Sequence, residues 1–354
     1  MGEYVTLYRK WRPEVFADVV GQDSTVKTLE NSLTNRRISH AYLFAGPRGT
    51  GKTSVARILA KGLNCQLGPT ATPCGKCAEC RTIKEGTSLN VVEIDGASNR
   101  GIDDVRELRN QVQFAPVNAS YKVYIIDEVH MLTAEAFNAL LKTLEEPPKH
   151  VVFIFATTDP HRLPPTILSR VQRFDFTRFT VQAMVERLSK VAREHDFKAD
   201  AEALRLIAAH AAGGMRDALS ILEKCAAFAD EITPETVAEI LGIALQEQVD
   251  GFTESLLGST WPDTLGMIND LYNQGKDLRQ FALAVIARLR QYILAAPAEN
   301  EPARLAAIEE FSEAVREMRF APDPRITLEL AVLKITTGSQ GVPTADVGDR
   351  KSVV

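Results

Sequence analysis

Residues 41–54 read AYLFAGPRGTGKTS, and the fold turns on this stretch. Five apolar residues run into a glycine-rich turn, and the segment after it, SVARILAKGL at 54–63, has the apolar spacing of a helix. Gly46, Pro47, Arg48, Gly49, Thr50, Gly51, Lys52 and Thr53 fit the phosphate-loop pattern G-x-x-x-x-G-K-[ST], with Ser54 opening the helix behind it. The glycines let backbone N–H groups turn inward on phosphate oxygens, and the helix N-terminus adds a favourable dipole. Lys52 is placed to neutralise the β and γ oxygens of a nucleotide such as ATP, and the Thr53 hydroxyl to ligate Mg²⁺.

Outward from this stretch, short apolar runs alternate with helical patterns up to about residue 178: NVVEIDGAS, KVYIIDEVH, HVVFIFATTD and VQRFDF. Runs apolar on both faces and separated by helices predict an α/β domain, a parallel sheet covered on both sides. One of these runs ends in Asp127 and Glu128. There the first carboxylate can hold the metal's water shell and the second can polarise an attacking water, which points to hydrolysis rather than binding alone. The next run ends in ATTD, so that Thr157 or Thr158 reaches toward the γ-phosphate side; Thr158 joins the candidate catalytic set.

Directly after the phosphate-loop helix comes CQLGPTATPCGKCAEC at 65–80. Cys65, Cys74, Cys77 and Cys80 are spaced C-x8-C-x2-C-x2-C, and four thiolates without a histidine or an open position suit a closed, structural Zn²⁺ site. A reactive dithiol is the alternative. Sixteen residues rich in Gly, Pro and Thr bury little apolar surface, so a metal would fold what the chain alone does not. The fifth cysteine, Cys225, stands in the apolar helical pattern ILEKCAAFA and reads as a buried small residue.

The 354 residues exceed what one core usually holds, and three domains are expected. They are a phosphate-loop domain over 1–178 with the knuckle at 65–80, a helical lid over 179–243 and a helical domain over 244–340. The polar segment 341–354 closes the chain as an expected disordered tail. Hydrophobic residues at 45% and charged residues at 25% fit an ordinary globular protein. A formal charge of -5 argues against a chain that coats nucleic acid through bulk positive charge. No apolar run approaches the length of a membrane span, and the basic N-terminus lacks the apolar stretch of a secretory signal, so a cytoplasmic location is expected.

Together YRKWRP, FADVVGQ, GPRGTGKTS, the cysteine knuckle, DEVHMLT, NALLKTLEEPP, ATTDPHRLPPTILSR and GGMRDALS closely resemble the gamma/tau family of bacterial DNA polymerase III subunits. These are the AAA+ ATPases of the clamp loader. The resemblance is dense over residues 3 to 240 and continues beyond only as helical character. It implies that Arg170, in LSRV, is an arginine finger reaching into the nucleotide site of an adjacent subunit, although Val171 stands where the family usually has cysteine. It implies further that Arg216, in GGMRDALS, touches the nucleotide from the lid, and that Tyr8, Arg12, Val19 and Val20 lie in the segment against the adenine. The 244–340 region would be the collar that gathers subunits into a ring.

The resemblance also implies partners: other clamp-loader subunits, copies of this chain, the sliding clamp, primed DNA and, through a longer C-terminus, helicase and polymerase core. Asn99, Arg100 and Arg106 start a helix that would meet DNA phosphates, or else form a surface helix neutralised by Asp103, Asp104 and Glu107. Lys142 is either a relay from DNA to Glu128 or a solvated lysine. His40, His130, His150 and His161 show no ligand spacing and read as polar or core histidines. The expected function is therefore a clamp-loader motor. The alternatives are a related ring helicase or branch-migration motor and a scaffold subunit that binds nucleotide without hydrolysing it.

Overall fold

The structure, a computed structural model, describes residues 5–101, 107–108, 111–258, 261–295 and 301–338. Arg106, Asp103 and Asp104 and the expected tail at 341–354 lie outside the described residues. The chain divides into two compact units, Met1–Ile232 and Thr233–Val354.

The first unit is built on five strands: β1 (Ala41–Ala45), β2 (Val91–Asp95), β3 (Lys122–Asp127), β4 (Val151–Thr157) and β5 (Gln172–Asp175). Their order is β2-β3-β4-β1-β5, and every ladder is parallel. The expected sheet and its coverage on both faces are borne out. Because side chains alternate across a strand, Tyr42, Phe44, Val123, Ile125, Val152 and Ile154 face one core, where Val55, Ile58 and Leu59 of the helix Lys52–Asn64 meet them. Leu43, Tyr124, Ile126, Phe153 and Phe155 face the other, closed by Phe137, Leu140 and Leu144 of the helix Ala134–Glu145 and by Ile167. Each such fully buried side chain contributes roughly 1.5–3 kcal/mol. The strands therefore read as unbroken apolar runs, and β1 and β4 are buried at every residue.

The parallel register brings the carboxyl ends of the strands to one edge. Asp95 pairs with Asp127, and Ala45 lies between Thr157 and Asp175. Ligand crevices of open parallel sheets form at this edge.

Three further helices of the first unit follow the sheet: Val181–Glu194, Ala201–His210 and Met215–Phe228. Thr180 caps the first of them through the Ala183 N–H at 3.2 Å. The sequence pattern reads as wholly helical here. The structure adds a two-residue parallel ladder, Lys198–Ala199 with Glu231–Ile232, too short to leave a period-two signature.

The second unit is helical throughout its described residues, from Pro234–Leu241 to Pro324–Gly338. Its core gathers around Phe252, Phe281 and Phe311, with Phe252 and Phe281 edge to face at 4.8 Å. Phe320, Ile326 and Leu330 remain exposed on it. Among the described residues, no helix is long and apolar enough to cross a membrane.

Candidate functional site

The phosphate loop leaves β1 at Ala45 and closes on the helix that starts at Lys52. The Gly46 N–H donates to the Thr157 carbonyl at 3.1 Å, which ties the loop to β4. Lys52 is buried, and its Nζ donates to the carbonyls of Gly46 at 2.8 Å and Pro47 at 2.7 Å. Burial lowers the pKa of this amine, while Glu128 and Asp127 act in the opposite sense. The Thr50 hydroxyl, also buried, donates to the Pro47 carbonyl at 2.8 Å and stiffens the turn.

Across the loop, the Thr53 hydroxyl donates to Asp127 Oδ2 at 2.8 Å. Two oxygens from different elements thus meet at the mouth of the loop, the hard donor set that suits Mg²⁺ beside phosphate. Glu128 follows Asp127 with a left-handed backbone, φ 44°, and its N–H donates to Asp127 Oδ1 at 2.9 Å. The Thr158 hydroxyl donates to Glu128 Oε2 at 3.1 Å. Thr157 is instead fully buried, and its hydroxyl meets His130 Nδ1 at 2.9 Å. Of the two threonines that the strand end offers, Thr158 is the one on Glu128.

His130 is a member of this group that the sequence did not suggest: its Nδ1 also lies 3.4 Å from Glu128 Oε2. It carries no ligand spacing, so only the 3-10 turn Val129–Met131 folding back on β4 reveals it.

The cleft above the loop has a volume of about 400 Å³. Tyr8, Arg12, Arg48, Gly49, Gly51 and Lys52 line it, with Thr53, Ser54, Asp127, Glu128 and Arg216. The helix Met215–Phe228 docks on the loop through the Met215 N–H to the Gly49 carbonyl at 3.1 Å. One residue on, the Arg216 guanidinium lies 4.7 Å over the Tyr8 ring. Burial, reinforced by Arg57, lowers the pKa of the Arg12 guanidinium.

Trp11, Pro13, Asp95, Phe179, Met215 and Leu219 also line the cleft and were not foreseen. Trp11 joins the N-terminal segment to the helix Val181–Glu194: the Arg187 guanidinium sits 4.9 Å over its ring, and its Nε1 donates to His195 Nε2 at 3.3 Å. Val19 packs partly buried against the first core, and Val20 is 36% exposed. Neither lines the cleft.

Arg170 stands elsewhere, in a hollow with Ser39, His40, Glu145 and Gln172, and does not line its own chain's cleft. Its Nη2 pairs with Glu145 Oε1 at 2.7 Å. Lys142, on the helix Ala134–Glu145, is exposed. Arg100 is exposed too, and its Nε donates to the Ala97 carbonyl at 2.7 Å, so the described part of the proposed DNA-facing helix start is closed on its own turn.

The four cysteines form the second site. Cys65 ends the phosphate-loop helix, Cys80 lies in the helix Ala78–Glu85, and all four sulfurs fall within 4.8 Å of one another. Tetrahedral zinc with Zn–S near 2.3 Å needs S–S separations of roughly 3.8 Å, so the group fits with a small contraction. Backbone N–H groups point at the sulfurs: Cys74 N to Cys65 Sγ and Cys77 N to Cys74 Sγ, each 3.4 Å, and Cys80 N to Cys77 Sγ, 3.5 Å. The N–H groups of Lys76 and Cys77 lower the Cys74 thiol to about 6, whereas burial raises Cys80. Donors aimed at sulfur stabilise thiolate, the form that binds metal. This is the cluster of metal-competent side chains among the described residues, and no histidine belongs to it. Cys225 is fully buried, as expected.

Comparison with known proteins adds the family. Residues 21–180 match a model described as DNA polymerase III, delta subunit, and residues 183–231 one described as DNA polymerase III clamp loader subunit, ATPase lid domain. The chain is 45% identical over 355 residues to DNA polymerase III subunit tau of Bacillus subtilis, covering 94% of this chain and 63% of that one. It is 40% identical to subunit tau of Escherichia coli, covering 94% and 55%. It is 34% identical to subunit gamma of Buchnera aphidicola, covering 94% of this chain and 98% of that relative. The chain thus spans little more than half the length of the two tau relatives and nearly all of the gamma relative. Among solved structures, the RuvB Holliday junction branch migration motor of Thermotoga maritima superposes with a TM-score of 0.50 at 22% identity, covering 70% of this chain and 79% of that one. At that identity the likeness shows the fold alone.

Proposed function

The chain belongs to the tau/gamma family of DNA polymerase III subunits, and from that premise we propose that it is an ATP-hydrolysing motor subunit of a clamp loader. In this reading ATP binding closes a ring of subunits that opens the sliding clamp, and hydrolysis triggered by primed DNA releases the clamp on its template. The observation that carries it is the Thr53–Asp127 contact at 2.8 Å, with Glu128 on the adjoining turn.

Thr53 and Asp127 would hold Mg²⁺, which supplies charge neutralisation to the phosphates. Lys52 exchanges the carbonyls of Gly46 and Pro47 for phosphate oxygens. Glu128 orients the attacking water and takes its proton, with Thr158 holding the carboxylate. The chain alone offers half a site: the arginine that faces the γ-phosphate would be a neighbouring subunit's counterpart of Arg170. Arg216, bonded through its helix to the loop, passes nucleotide occupancy to the lid. Tyr8 and Arg12 contact the nucleotide from the N-terminal segment, with Val19 and Val20 behind it.

The four cysteines hold a structural Zn²⁺ and take no part in the chemistry. The organisation into residues 1–178, 179–243 and 244–340 assigns ATPase, lid and ring assembly to successive regions. Other clamp-loader subunits, copies of this chain, the sliding clamp and primed DNA are the partners. A longer C-terminus would add helicase and polymerase core.

The test is steady-state ATP hydrolysis by the complex assembled with its partner subunits and clamp, on primed template and on blunt duplex of equal length. Strong stimulation by the primed junction, lost in Arg170→Ala, is expected. Equal rates on both DNAs would overturn the reading in favour of a branch-migration motor. Intact Lys52, Thr53 and Glu128 favour hydrolysis over the scaffold alternative.

A further inference from the structure

Arg170 is held in place within its own chain. Nη1 donates to the Thr166 carbonyl at 2.8 Å and to the Ser169 hydroxyl at 3.0 Å, and Nη2 donates to Glu145 Oε1 at 2.7 Å. A guanidinium carries five N–H donors in a rigid fork. Among the described residues these three acceptors leave the Nε hydrogen and one Nη2 hydrogen to meet an anion.

Two of the three acceptors lie within four residues of Arg170 in the chain and belong to its own local turn. Glu145 is different: it is brought from 25 residues away, at the end of the helix Ala134–Glu145. Thr133 caps that helix at its other end, five residues after Glu128. A twelve-residue helix, about 18 Å long, therefore runs from the catalytic turn of one site to the arginine offered to the next.

From this geometry we infer that Glu145 is a positioning residue for Arg170: it fixes the guanidinium in the orientation that a neighbouring subunit's phosphate meets. The inference rests on the proposed role of Arg170 in that neighbouring site. An ungoverned arginine spreads over many rotamers and loses that freedom on engaging phosphate; one already aligned loses less. The pair does little for the stability of the chain itself. The side chains are 33% and 50% exposed, and an ion pair this wet contributes almost nothing to folding. A change in turnover on removing Glu145 is thus separable from a change in fold.

The experiment uses the complex assembled with partner subunits, clamp and primed template, and measures kcat and KM for ATP with Glu145→Ala, Glu145→Gln, Arg170→Ala and the double variant. Glu145→Ala is expected to lower kcat about 10-fold with KM unchanged, less than the roughly 10²-fold that a full 1 Å misplacement of a reacting group can cost. Glu145→Gln, which keeps an oxygen where Oε1 stands, should recover most of the rate, and Glu145→Ala should cost nothing further once Arg170 is alanine. A kcat for Glu145→Ala equal to or above wild type, or penalties that multiply in the double variant, would overturn the positioning role while leaving the finger intact. A wild-type rate in Arg170→Ala would overturn the finger itself, and this inference with it.

Discussion

The phosphate loop and the cysteine knuckle occupy opposite ends of one helix, Lys52–Asn64, yet they are held by different means. The loop follows a strand with every residue buried, and its first N–H is bonded to the neighbouring strand. The knuckle, residues 65–80, buries only Cys65, Pro73 and Cys80, and Leu67 within it is 73% exposed. Packing shapes the loop; convergence of four sulfurs shapes the knuckle. One helix therefore carries at one end a loop packed between strands and at the other a segment of which three residues are buried and whose backbone is tied to the helix by the Thr70 N–H to the Gly62 carbonyl at 2.9 Å.

That contrast fails if removing the proposed zinc disturbs both ends. Structural zinc in small peptides contributes roughly 10–16 kcal/mol, so chelation is the largest perturbation available here. After chelation, Cys65, Cys74, Cys77 and Cys80 should become alkylated within minutes. Cys225 should stay protected, because it is fully buried and burial raises its thiol pKa. Binding of a fluorescent ATP analogue should survive within a few-fold. Mass spectrometry of the labelled cysteines reads the first result and titration the second. Loss of nucleotide binding together with the metal would mean that the knuckle braces the loop.

The loop should be as intolerant as the knuckle is forgiving. Gly46 has φ +150°, and a Cβ there would lie 2.3 Å from the Phe176 carbonyl oxygen and 2.9 Å from Phe176 Cβ. Both are close to the backbone of β5 and cannot swing aside. Gly46→Ala should therefore cost about 3 kcal/mol and weaken ATP binding together with thermal stability. A melting temperature unchanged from wild type would show that the loop yields more readily than its packing implies.

How much of this was legible in the sequence follows the same division between local and long-range determinants. The loop, Asp127, Glu128 and the cysteine spacing are local patterns: a strand, a turn chemistry and a ligand interval, each readable in one window. The sheet was legible because strands buried on two faces leave unbroken apolar runs. Thr157 and Thr158 could not be told apart, since successive residues of a strand face opposite sides and the strand end leaves the phase open. His130 reads from the sequence as a polar or core histidine, and its place at the site is not legible there because its partners, Glu128 and Thr157, meet only when two strand ends fold together. Trp11 at the cleft and Glu145 beside Arg170 are likewise products of tertiary contact, separated in sequence by 184 residues from His195 and by 25 from Arg170 respectively.

The smallest effect gives the sharpest test of the contrast, because it compares one substitution at the two ends of the helix. Gly75, between two of the knuckle's ligands, also has a left-handed backbone, φ +68°, but a Cβ there would meet nothing within 4 Å. Alanine at this position costs only the strain of the left-handed backbone, about 1 kcal/mol. Expected is a release of zinc to a coloured chelator faster by about fivefold, which that strain permits when RT is ~0.6 kcal/mol. Melting of the sheet should not move. The substitution that is ruinous at Gly46 is then mild at Gly75, although both glycines adopt positive φ, because backbone strain is common to the two sites and crowding belongs to one. Equal damage at both would mean that the knuckle is packed as tightly as the loop, and that its sulfurs are arranged by the protein before any metal arrives.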